Sequence, residues 1–489
     1  MYDLLIKNVR VVRPGADDTP VADIAVQDGR IARVGPDLDG EAHEEHDGAG
    51  RLAFPGAIDA HTHVGIYVPP DQDAPTESAS AVSGGCTTML TYVRTGSLYL
   101  DRPGPVREFW PELLAASEGN YHCDYGYHVS PIQGAQVAEM EWIATEAGCP
   151  NFGEVFMFYG SHGLHGGTDK QREWLMLDEG DHYDLAHFDA ICREAAAIQE
   201  RHPEIADLVQ VSWHCEVPEL LRAYETKVQS EGRLSGLEAY SAARPPHAEA
   251  LAVQIAGTLA HHAGLSNINV LHITSRAALQ AAKNLRQIYP GLDVGMEVTA
   301  GHLLLDYTSP CGVWGKVNPP LRAPEDREAL WDAVADGTLQ WAMTDHANAP
   351  ADQKVDADDP GNVWKAHAGF GGVEYLLPGL FSEGTRRGLP PGRIAELTAG
   401  APARRFGLLG KGDVAEGYDA DLALLDPDET WTIRAQDSLS TQGYTPFEGI
   451  EVTGRVKATY LRGRRVFADG AGVTGDRAGQ YLPRPYRAG

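Results

Sequence analysis

The pattern of apolar residues differs between the two ends of the chain and its middle. Residues 4–12 form an apolar, β-branched run, which is typical of a strand. In residues 24–34, two alternating runs flank Asp28-Gly29, a strong β-hairpin signal. Residues 420–426 and 459–467 repeat this pattern near the other end. We therefore predict that the two β-rich ends pair into one small sheet domain.

The middle of the chain alternates short apolar runs with alanine-rich helical segments. The strand-like runs include residues 87–91, 209–213, 268–271 and 340–344, and the helical segments include 186–201 and 248–262. Repeated strand–helix units predict a parallel α/β fold, and their total length suits a (β/α)₈ TIM barrel. The predicted domains are 1–54 with 405–470 for the sheet domain, 55–404 for the barrel, and 471–489 for a C-terminal tail.

Composition and charge narrow the class of protein. The chain has 489 residues, of which 43% are hydrophobic and 22% charged, as in a globular enzyme of two or three domains. Its net charge of −29 repels phosphate backbones and anionic lipids, so we expect neither nucleic acid nor a membrane as partner. Six cysteines without a CxxC pair indicate thiols of a reducing compartment. The start of the chain lacks a signal-peptide pattern, and we expect a cytoplasmic protein.

The candidate chemistry begins at His61 and His63, directly after the apolar run of residues 52–58. Strand side chains alternate between faces, so both imidazoles point the same way. Two ordinary strand histidines would fit this pattern as well as a metal site does. However, His214, His272 and Asp345 also follow apolar strand runs, where a barrel places its functional side chains. Because five such positions are hard to obtain by chance, the sequence predicts a metal site.

Several motifs resemble the cyclic amidohydrolases, and most strongly the dihydropyrimidinase and hydantoinase branch. They are residues 55–63, 84–88, 214–216, 243–249, 318–322, 344–347, 372–384 and 417–421. The likeness extends from about residue 2 to residue 470. It implies a barrel with a composite β-sandwich domain, which hydrolyses a cyclic amide with metal-bound hydroxide. It also implies Zn²⁺, commonly two ions per subunit although another divalent metal would serve, and a homodimer or homotetramer.

The resemblance also implies roles for individual residues. One metal would be bound by His61, His63 and Asp345, and the other by His214 and His272. Asp345 would take a proton from the attacking hydroxide and pass it to the leaving nitrogen. Tyr159 matches the family tyrosine that donates a hydrogen bond to the developing oxyanion. A half-buried barrel aromatic is the alternative interpretation of Tyr159.

The chain departs from the family at the residue that bridges the two metals. The family uses a carbamylated lysine on the third barrel strand, and the matching stretch, residues 152–159, holds Glu154 in its place. A glutamate can bridge two metals, but it is shorter by three chain atoms, roughly 3–4 Å. The strand must therefore sit closer, the metals must shift, or only one metal binds. We favour a bridging Glu154, with a mononuclear site and a displaced carbamate on Lys170 as alternatives.

Other departures bear on the substrate. Gly65 stands where dihydroorotases have the arginine that holds a substrate carboxylate, which disfavours dihydroorotate. Ala368 replaces the asparagine of a turn that contacts the ring in hydantoinases. Residues 160–187 form a longer segment than the family has, either a substrate-specific loop or a solvated insertion. His302 and Asn318 are candidate substrate contacts, and a structural role would also explain each of them.

Three functions follow in order of preference. The first is a metal-dependent hydrolase that opens a cyclic amide, imide or ureide ring. The second is a divergent amidohydrolase that acts on a linear amide or catalyses ring closure. The third is a non-catalytic relative that keeps the fold for assembly or binding. The retained histidines and Asp345 argue against the third.

Overall fold

The computed structural model describes residues 1–96, 99–157, 177 and 182–488, and every structural statement below concerns these residues. The strands, numbered along the chain, are β1 Tyr2–Val11, β2 Val21–Gln27, β3 Arg30–Gly35, β4 Ala42–Asp47, β5 Leu52–Pro55, β6 Ala57–Thr62, β7 Cys86–Val93, β8 Asp124–Val129, β9 Asn151–Phe156, β10 Gln210–His214, β11 Asn267–Val270, β12 Asp293–Thr299, β13 Trp341–Met343, β14 Leu422–Thr432, β15 Glu451–Leu461, β16 Arg464–Ala468 and β17 Gly472–Val473.

Helices separate most of the central strands. The α-helices are α1 Pro70–Ser83, α2 Val106–Ser117, α3 Gly134–Val137, α4 Met140–Thr145, α5 Leu185–Arg201, α6 Pro218–Glu231, α7 Gly236–Ala243, α8 Pro246–Ala263, α9 Arg276–Ile288, α10 Ala300–Leu304, α11 Pro324–Ala335, α12 Ala351–Lys354, α13 Leu376–Arg386, α14 Pro391–Ala395 and α15 Ala401–Arg405. No helix in these ranges combines the length and apolar character that crossing a bilayer requires.

Strands β6 to β13 form one parallel sheet, in which neighbours follow chain order. The sheet closes on itself, since Thr62 at the end of β6 bridges His346, just beyond β13. Every residue of β7, β8 and β10 is buried, because barrel strands are covered on both faces. The predicted (β/α)₈ barrel is thus confirmed.

The helices around the barrel begin and end at the signals that the sequence supplies. Asp184 accepts hydrogen bonds from the first turn of α5, and Ser275 does the same for α9, as side-chain caps of free helix amides do. Gly264 ends α8 with a positive φ of 81°, a conformation that glycine adopts without steric cost. These caps fix where each helix starts to cover the strands.

Sheet A joins the two ends of the chain. Its nine strands run in the order β17-β16-β15-β14-β5-β1-β2-β3, and β4 pairs with β1. The seam between the ends is the antiparallel pair β5–β14, in which Pro55 lies opposite Leu422. At the predicted hairpin between β2 and β3, Asp28 and Gly29 have φ of 52° and 77°, as a type I′ turn requires. The composite β domain predicted from the sequence is confirmed.

The segment predicted as a tail, residues 471–489, is packed over most of its described length. It starts with β17 in sheet A and then crosses the amino-terminal end of the barrel. Leu482 donates its backbone N–H to the carbonyl of Tyr125 in β8 at 2.8 Å. The guanidinium of Arg484, 3% exposed, donates to the carbonyl of Tyr127. The segment therefore closes the end of the barrel opposite the predicted site.

Candidate metal centre

Six predicted side chains meet at the carboxyl end of the barrel strands. They come from five strands or the turns that follow them, and all are buried: His61, His63, Glu154, His214, His272 and Asp345. Their positions follow from the parallel barrel, since the carboxyl ends of all its strands converge at one mouth. The structure thus places together every residue that the sequence singled out as a metal ligand.

One half of this centre is built on His61, His63 and Asp345. Asp345 Oδ1 lies 2.9 Å from His63 Nε2 and 3.3 Å from His61 Nε2. Glu154 Oε2 faces the same two nitrogens, at 3.4 Å from His63 and 3.8 Å from His61. Two imidazoles and two carboxylates therefore converge on one small space.

The other half is built on His214 and His272. Glu154 Oε1 lies 3.0 Å from His214 Nδ1 and 2.9 Å from His272 Nε2. The two oxygens of Glu154 thus each face one pair of histidines. This is the arrangement in which a single carboxylate can serve two neighbouring cations.

The strand that carries Glu154 contacts its neighbour closely at Gly153. A Cβ atom at Gly153 would lie 2.8 Å from the carbonyl oxygen of Ser212 in β10. The pairing of β9 with β10 is also irregular between Val211 and Trp213. Position 153, directly before Glu154, therefore has no room for a side chain.

Two outer carboxylates set which nitrogen of each histidine carries its proton. His61 Nδ1 lies 2.7 Å from Glu297 Oε1, and His214 Nε2 lies 2.8 Å from Glu216 Oε2. An ionised carboxylate only accepts hydrogen bonds, so these outer nitrogens are the donors. When such a ring is neutral, its outer nitrogen carries the proton and its inner nitrogen has the lone pair that a metal needs.

Both outer carboxylates are held by further donors. Arg244 donates two hydrogen bonds to Glu216, at 2.9 and 2.6 Å. Burial raises the pKa of Glu216, but Arg244 and His214 outweigh it and hold this pKa below its usual value. Glu297 accepts from the indole N–H of Trp341 at 3.0 Å. The charges that orient the histidines are therefore fixed in place.

The centre fits a divalent cation by the chemistry of its atoms. His61 Nε2 and Glu154 Oε2 are buried and have no hydrogen-bond partner among the described residues. Facing lone pairs repel each other in a buried space unless a cation lies between them. Imidazole and carboxylate are ligands that zinc and similar divalent metals prefer. Two sets of residues each have ligand atoms close enough together to hold an ion. One set is His61, His63 and Asp345, and the other is His61, Glu154 and His272.

Helix α1 ties together the two loops that carry ligands. Asp73 accepts from the backbone N–H of Gly65 at 2.7 Å and from the side chain of Asn348 at 2.8 Å. Glu77 lies 3.0 Å from His346 Nε2. These contacts hold the loop after β6 against the loop after β13. The backbone at Asp345 has a φ of 56°, a strained conformation for a non-glycine residue that such support can maintain.

A cavity of about 100 Å³ opens beside the centre. Its walls include His63, Tyr67, Arg94, Phe156, Asn318 and Ala368. Larger cavities of about 980 and 450 Å³ lie against sheet A. The small cavity is the one relevant to chemistry because it alone of these three borders the converging histidines.

The two candidate substrate residues are placed differently. Asn318 lines the cavity, and its side-chain oxygen accepts from the hydroxyl of Tyr240. His302 pairs through Nδ1 with Thr299 Oγ1 at 2.7 Å and through Nε2 with the carbonyl of Pro319 at 3.0 Å. Burial lowers the pKa of His302 to about 3. His302 is therefore a neutral residue that holds the loop carrying Asn318.

Tyr159 and Lys170 lie outside the described residues, as does most of the predicted insertion at 160–187. The described part of that segment includes the start of α5. There His187 Nε2 contacts the carbonyl oxygen of Pro131 at 2.8 Å. The predictions made for Tyr159, Lys170 and the insertion stay predictions.

Sequence reasoning missed three residues around the centre. Glu297 and Glu216 orient the ligands His61 and His214. Arg94 lies in the cavity wall. A weak signal existed for each, because Glu297 lies near the end of β12, Glu216 lies two residues after a predicted ligand, and Arg94 directly follows β7. The search for ligand-type residues at strand ends did not include arginine.

Comparisons with known proteins agree with this geometry. Residues 209–466 match the model of the amidohydrolase family. The allantoinase of Rubrobacter xylanophilus is 34% identical over 491 residues, covering 99% of this chain and 98% of that protein. The D-hydantoinase of Geobacillus stearothermophilus is 29% identical over 98% of this chain and 96% of its own length. The structure of L-hydantoinase (dihydropyrimidinase) from Arthrobacter aurescens superposes with a TM-score of 0.85 at 27% identity, covering 99% of this chain and 100% of that one. The chain belongs to the amidohydrolase family, whose members depend on metals.

Proposed function

We propose that this protein is a metal-dependent hydrolase that opens the ring of a cyclic amide, imide or ureide. The observation that carries the proposal is the buried centre in which four histidines converge on Glu154 and Asp345, with His61 Nε2 and Glu154 Oε2 lacking a hydrogen-bond partner among the described residues. The relatives named allantoinase and D-hydantoinase support a cyclic substrate. Both names denote enzymes of cyclic ureides, and the chain matches these proteins over nearly its whole length.

In this proposal the ligands divide as their positions suggest. His61, His63 and Asp345 would hold one zinc ion and His214 and His272 a second, with one oxygen of Glu154 directed to each. Bound zinc would lower the pKa of water towards neutrality and polarise the substrate carbonyl. Glu297 and Glu216 would keep the two histidines that they contact in the tautomer that binds metal.

Two further residues would handle the proton and the developing charge. Asp345 lies at the cavity, where its carboxylate can accept a proton from water and return it to the leaving nitrogen. Tyr159 would donate a hydrogen bond to the carbonyl oxygen as negative charge develops on it. Asn318 in the cavity wall would contact the ring.

The activity is tested with a panel of cyclic and linear amides. The purified protein, loaded with zinc, is assayed on hydantoin, dihydrouracil, allantoin and succinimide, and on linear amides. We expect ring opening that a chelator abolishes and zinc restores. Hydrolysis of linear amides alone, or ring closure alone, would favour the divergent amidohydrolase instead. A protein that binds no zinc and opens no ring would contradict the proposal.

The role of Glu154 is tested by metal content. A carbamylated lysine needs carbon dioxide to form, whereas Glu154 does not. We therefore expect the metal-free protein to take up two zinc ions in buffer purged of carbon dioxide, with no gain from bicarbonate. Glu154→Ala should bind fewer ions and lose at least about 1,000-fold in kcat/KM. Unchanged stoichiometry in this variant would contradict a bridging role, and Glu108→Ala on the exposed face of α2 is the control.

We also propose a homodimer or homotetramer, as the family resemblance implies, and a cytoplasmic location. The location is supported by the six cysteines, all of which are buried thiols, as in proteins of reducing compartments. Light scattering after gel filtration would measure the oligomeric state.

A further inference from the structure

Two buried lysines contact one wall of the cavity, and the proposed reaction uses neither of them. Lys354, the last residue of α12, has no exposed surface, and Lys316 is 6% exposed. Within the described ranges, both donate hydrogen bonds to backbone carbonyls and to no carboxylate. Burial, and then the nearby Lys316, lower the pKa of Lys354 well below its usual value. Because burying an amine without a carboxylate partner costs free energy, packing alone does not explain a lysine at position 354.

Lys354 joins the two stretches of backbone that form this wall. Its Nζ donates to the carbonyl of Lys316 at 2.8 Å and to that of Gly369 at 2.6 Å. Gly369 in turn donates its backbone N–H to the carbonyl of Lys316 at 3.0 Å. Asn318 and Ala368, which lie near these carbonyls along the chain, line the cavity. One amine therefore bridges the two stretches next to the residues that border the metal centre.

Two further contacts hold the turn at Ala368. Lys316 Nζ donates to the carbonyl of Ala366 at 2.6 Å and lies 4.6 Å from the ring centre of Tyr240. The hydroxyl of Tyr67 donates to the carbonyl of Ala368 at 2.8 Å. Tyr67 belongs to the loop after β6, which also carries a candidate metal ligand. The turn is therefore held both to the backbone at Lys316 and to the metal side of the cavity.

The turn depends on this support because the side chain of Ala368 is a methyl group. At position 368 a cyclic substrate can form hydrogen bonds only with backbone atoms. A backbone group cannot turn towards its partner as a long side chain can, so its position is only as exact as the contacts that hold the turn. A misplacement of about 1 Å in such a site can cost about 100-fold in rate.

We propose that Lys354 is a positioning residue, which sets how tightly the cyclic substrate is bound by fixing the backbone at Asn318 and Ala368. This inference rests on the proposed ring-opening activity and adds a residue that controls substrate binding at the same site. Lys354 does not itself line the cavity, so it acts through the backbone that it holds. Its loss should weaken the binding of the ring and leave the metals in place.

The kinetic test replaces Lys354 with methionine, which keeps an unbranched stem without the amine. With the ring of the panel that the wild type opens fastest, we expect the KM of the zinc-loaded Lys354→Met variant to rise at least about tenfold. The kcat should fall by less than the KM rises, and zinc content should equal that of the wild type. Lys354→Gln, which keeps an N–H donor on a shorter side chain, should have an intermediate KM.

The split between the two constants separates positioning from a merely structural role. A structural defect lowers the fraction of folded enzyme, which reduces kcat and leaves KM unchanged. An unchanged KM in Lys354→Met would therefore overturn the inference. Lys365→Met is the matched control, because Lys365 lies in the same part of the chain with its side chain 47% exposed, 3.4 Å from Asp356. Both of its constants should equal those of the wild type.

A second measurement tests the contact without turnover. The backbone N–H of Gly369 is bonded within the bridged wall, so amide hydrogen exchange of residues 366–369 reports how firmly the turn is held. We expect this exchange to be at least about tenfold faster in Lys354→Met than in the wild type, and unchanged in Lys365→Met. Equal exchange in Lys354→Met and the wild type would overturn the inference.

The two measurements keep this inference apart from the proposed function. Rings opened with an unchanged KM would overturn the inference alone. A protein that opens no ring would overturn the proposed function, while hydrogen exchange would still decide whether Lys354 holds the turn. If Lys354→Met does not fold, Lys354→Gln serves for both measurements, and wild-type values of its KM or its exchange would overturn the inference.

Discussion

The barrel carries a buried acidic cluster at each end, and the two are neutralised differently. At the mouth, Glu154 and Asp345 face the nitrogens of four histidines. At the opposite end, Asp124, Asp419 and Asp421 lie close enough together to hold an ion. There, however, Lys411 Nζ lies 2.8, 3.0 and 2.6 Å from the three carboxylates.

The difference between the two clusters shows how a metal site can be distinguished from a salt bridge. Three converging carboxylates do not by themselves require a metal, because an ammonium group can fill the space between them. Arg462 adds a second cation at Asp124. At the mouth the carboxylates face imidazoles instead, which can lose a proton and bind a metal, and Glu297 and Glu216 contact the outer nitrogens of two of them. The kind of partner therefore distinguishes the two clusters better than the count of acidic residues.

The largest expected effect comes from removing the Lys411 ammonium at the end of the barrel opposite the mouth. Lys411→Met removes the central cation and leaves three buried carboxylates facing each other. We expect a loss of about 3–5 kcal/mol in the free energy of unfolding, measured in urea. Zinc content at the mouth should not change. Recovery of stability by zinc bound between the three aspartates would contradict the distinction.

A smaller effect concerns a histidine near the mouth that is no ligand. Burial lowers the pKa of His302 from 6.5 to about 3, so the unfolded chain takes up its proton at higher pH than the folded one. The stabilisation by His302 is complete above about pH 6.5 and is lost as the pH falls towards 3, at about 1.4 kcal/mol per pH unit.

His302→Gln tests this dependence, since glutamine can still donate to the carbonyl of Pro319 but does not titrate. Between about pH 6.5 and 4.5, metal-free wild type should lose about 2–3 kcal/mol more stability than the variant. Chemical denaturation at each pH measures the difference. Equal slopes would mean that His302 is charged in the folded protein, and loss of zinc from the variant would make it part of the centre.

The smallest expected effect concerns Glu297, the carboxylate that contacts His61 at the mouth. Glu297→Gln keeps the shape of the side chain but removes the charge that holds the proton on His61 Nδ1. We expect zinc affinity to fall by about 10–100-fold with the fold retained, as measured by competition with a chelator. An unchanged affinity would show that Glu297 does not set the tautomer of His61. Glu108→Gln on α2 controls for a change of charge elsewhere.

Much of the fold was predictable because its signals are local. The hairpin at Asp28-Gly29 follows from turn chemistry, and the barrel strands follow from short apolar runs, with boundaries off by a residue or two, as for predicted residues 209–213 against observed Gln210–His214. The ligand positions were equally local, because a strand end in a parallel barrel points to one mouth. The packing of residues 479–486 on the barrel was not predictable from a composition rich in glycine, proline and arginine.

The residues that contact the candidate metal ligands could not be predicted from the sequence, because they come near the ligands only in the folded chain. Glu297 is 236 residues from His61 along the chain, and no periodicity links the two. The position of Glu154 between His214 and His272 likewise depends on residues 60 and 118 positions away, which a sequence pattern does not reveal. Arg94 directly follows β7, so a search for cationic residues at strand ends would have found it.

The seam between β5 and β14 in sheet A bears on how the chain folds as it is made. Pro55 cannot meet Leu422 until the ribosome has added everything between them, which takes roughly 20–70 s at ordinary rates of synthesis. During that time the amino-terminal strands expose edges that would otherwise be paired, and exposed edges invite aggregation. Conditions that slow translation should therefore lower the yield of native protein unless a chaperone covers these strands.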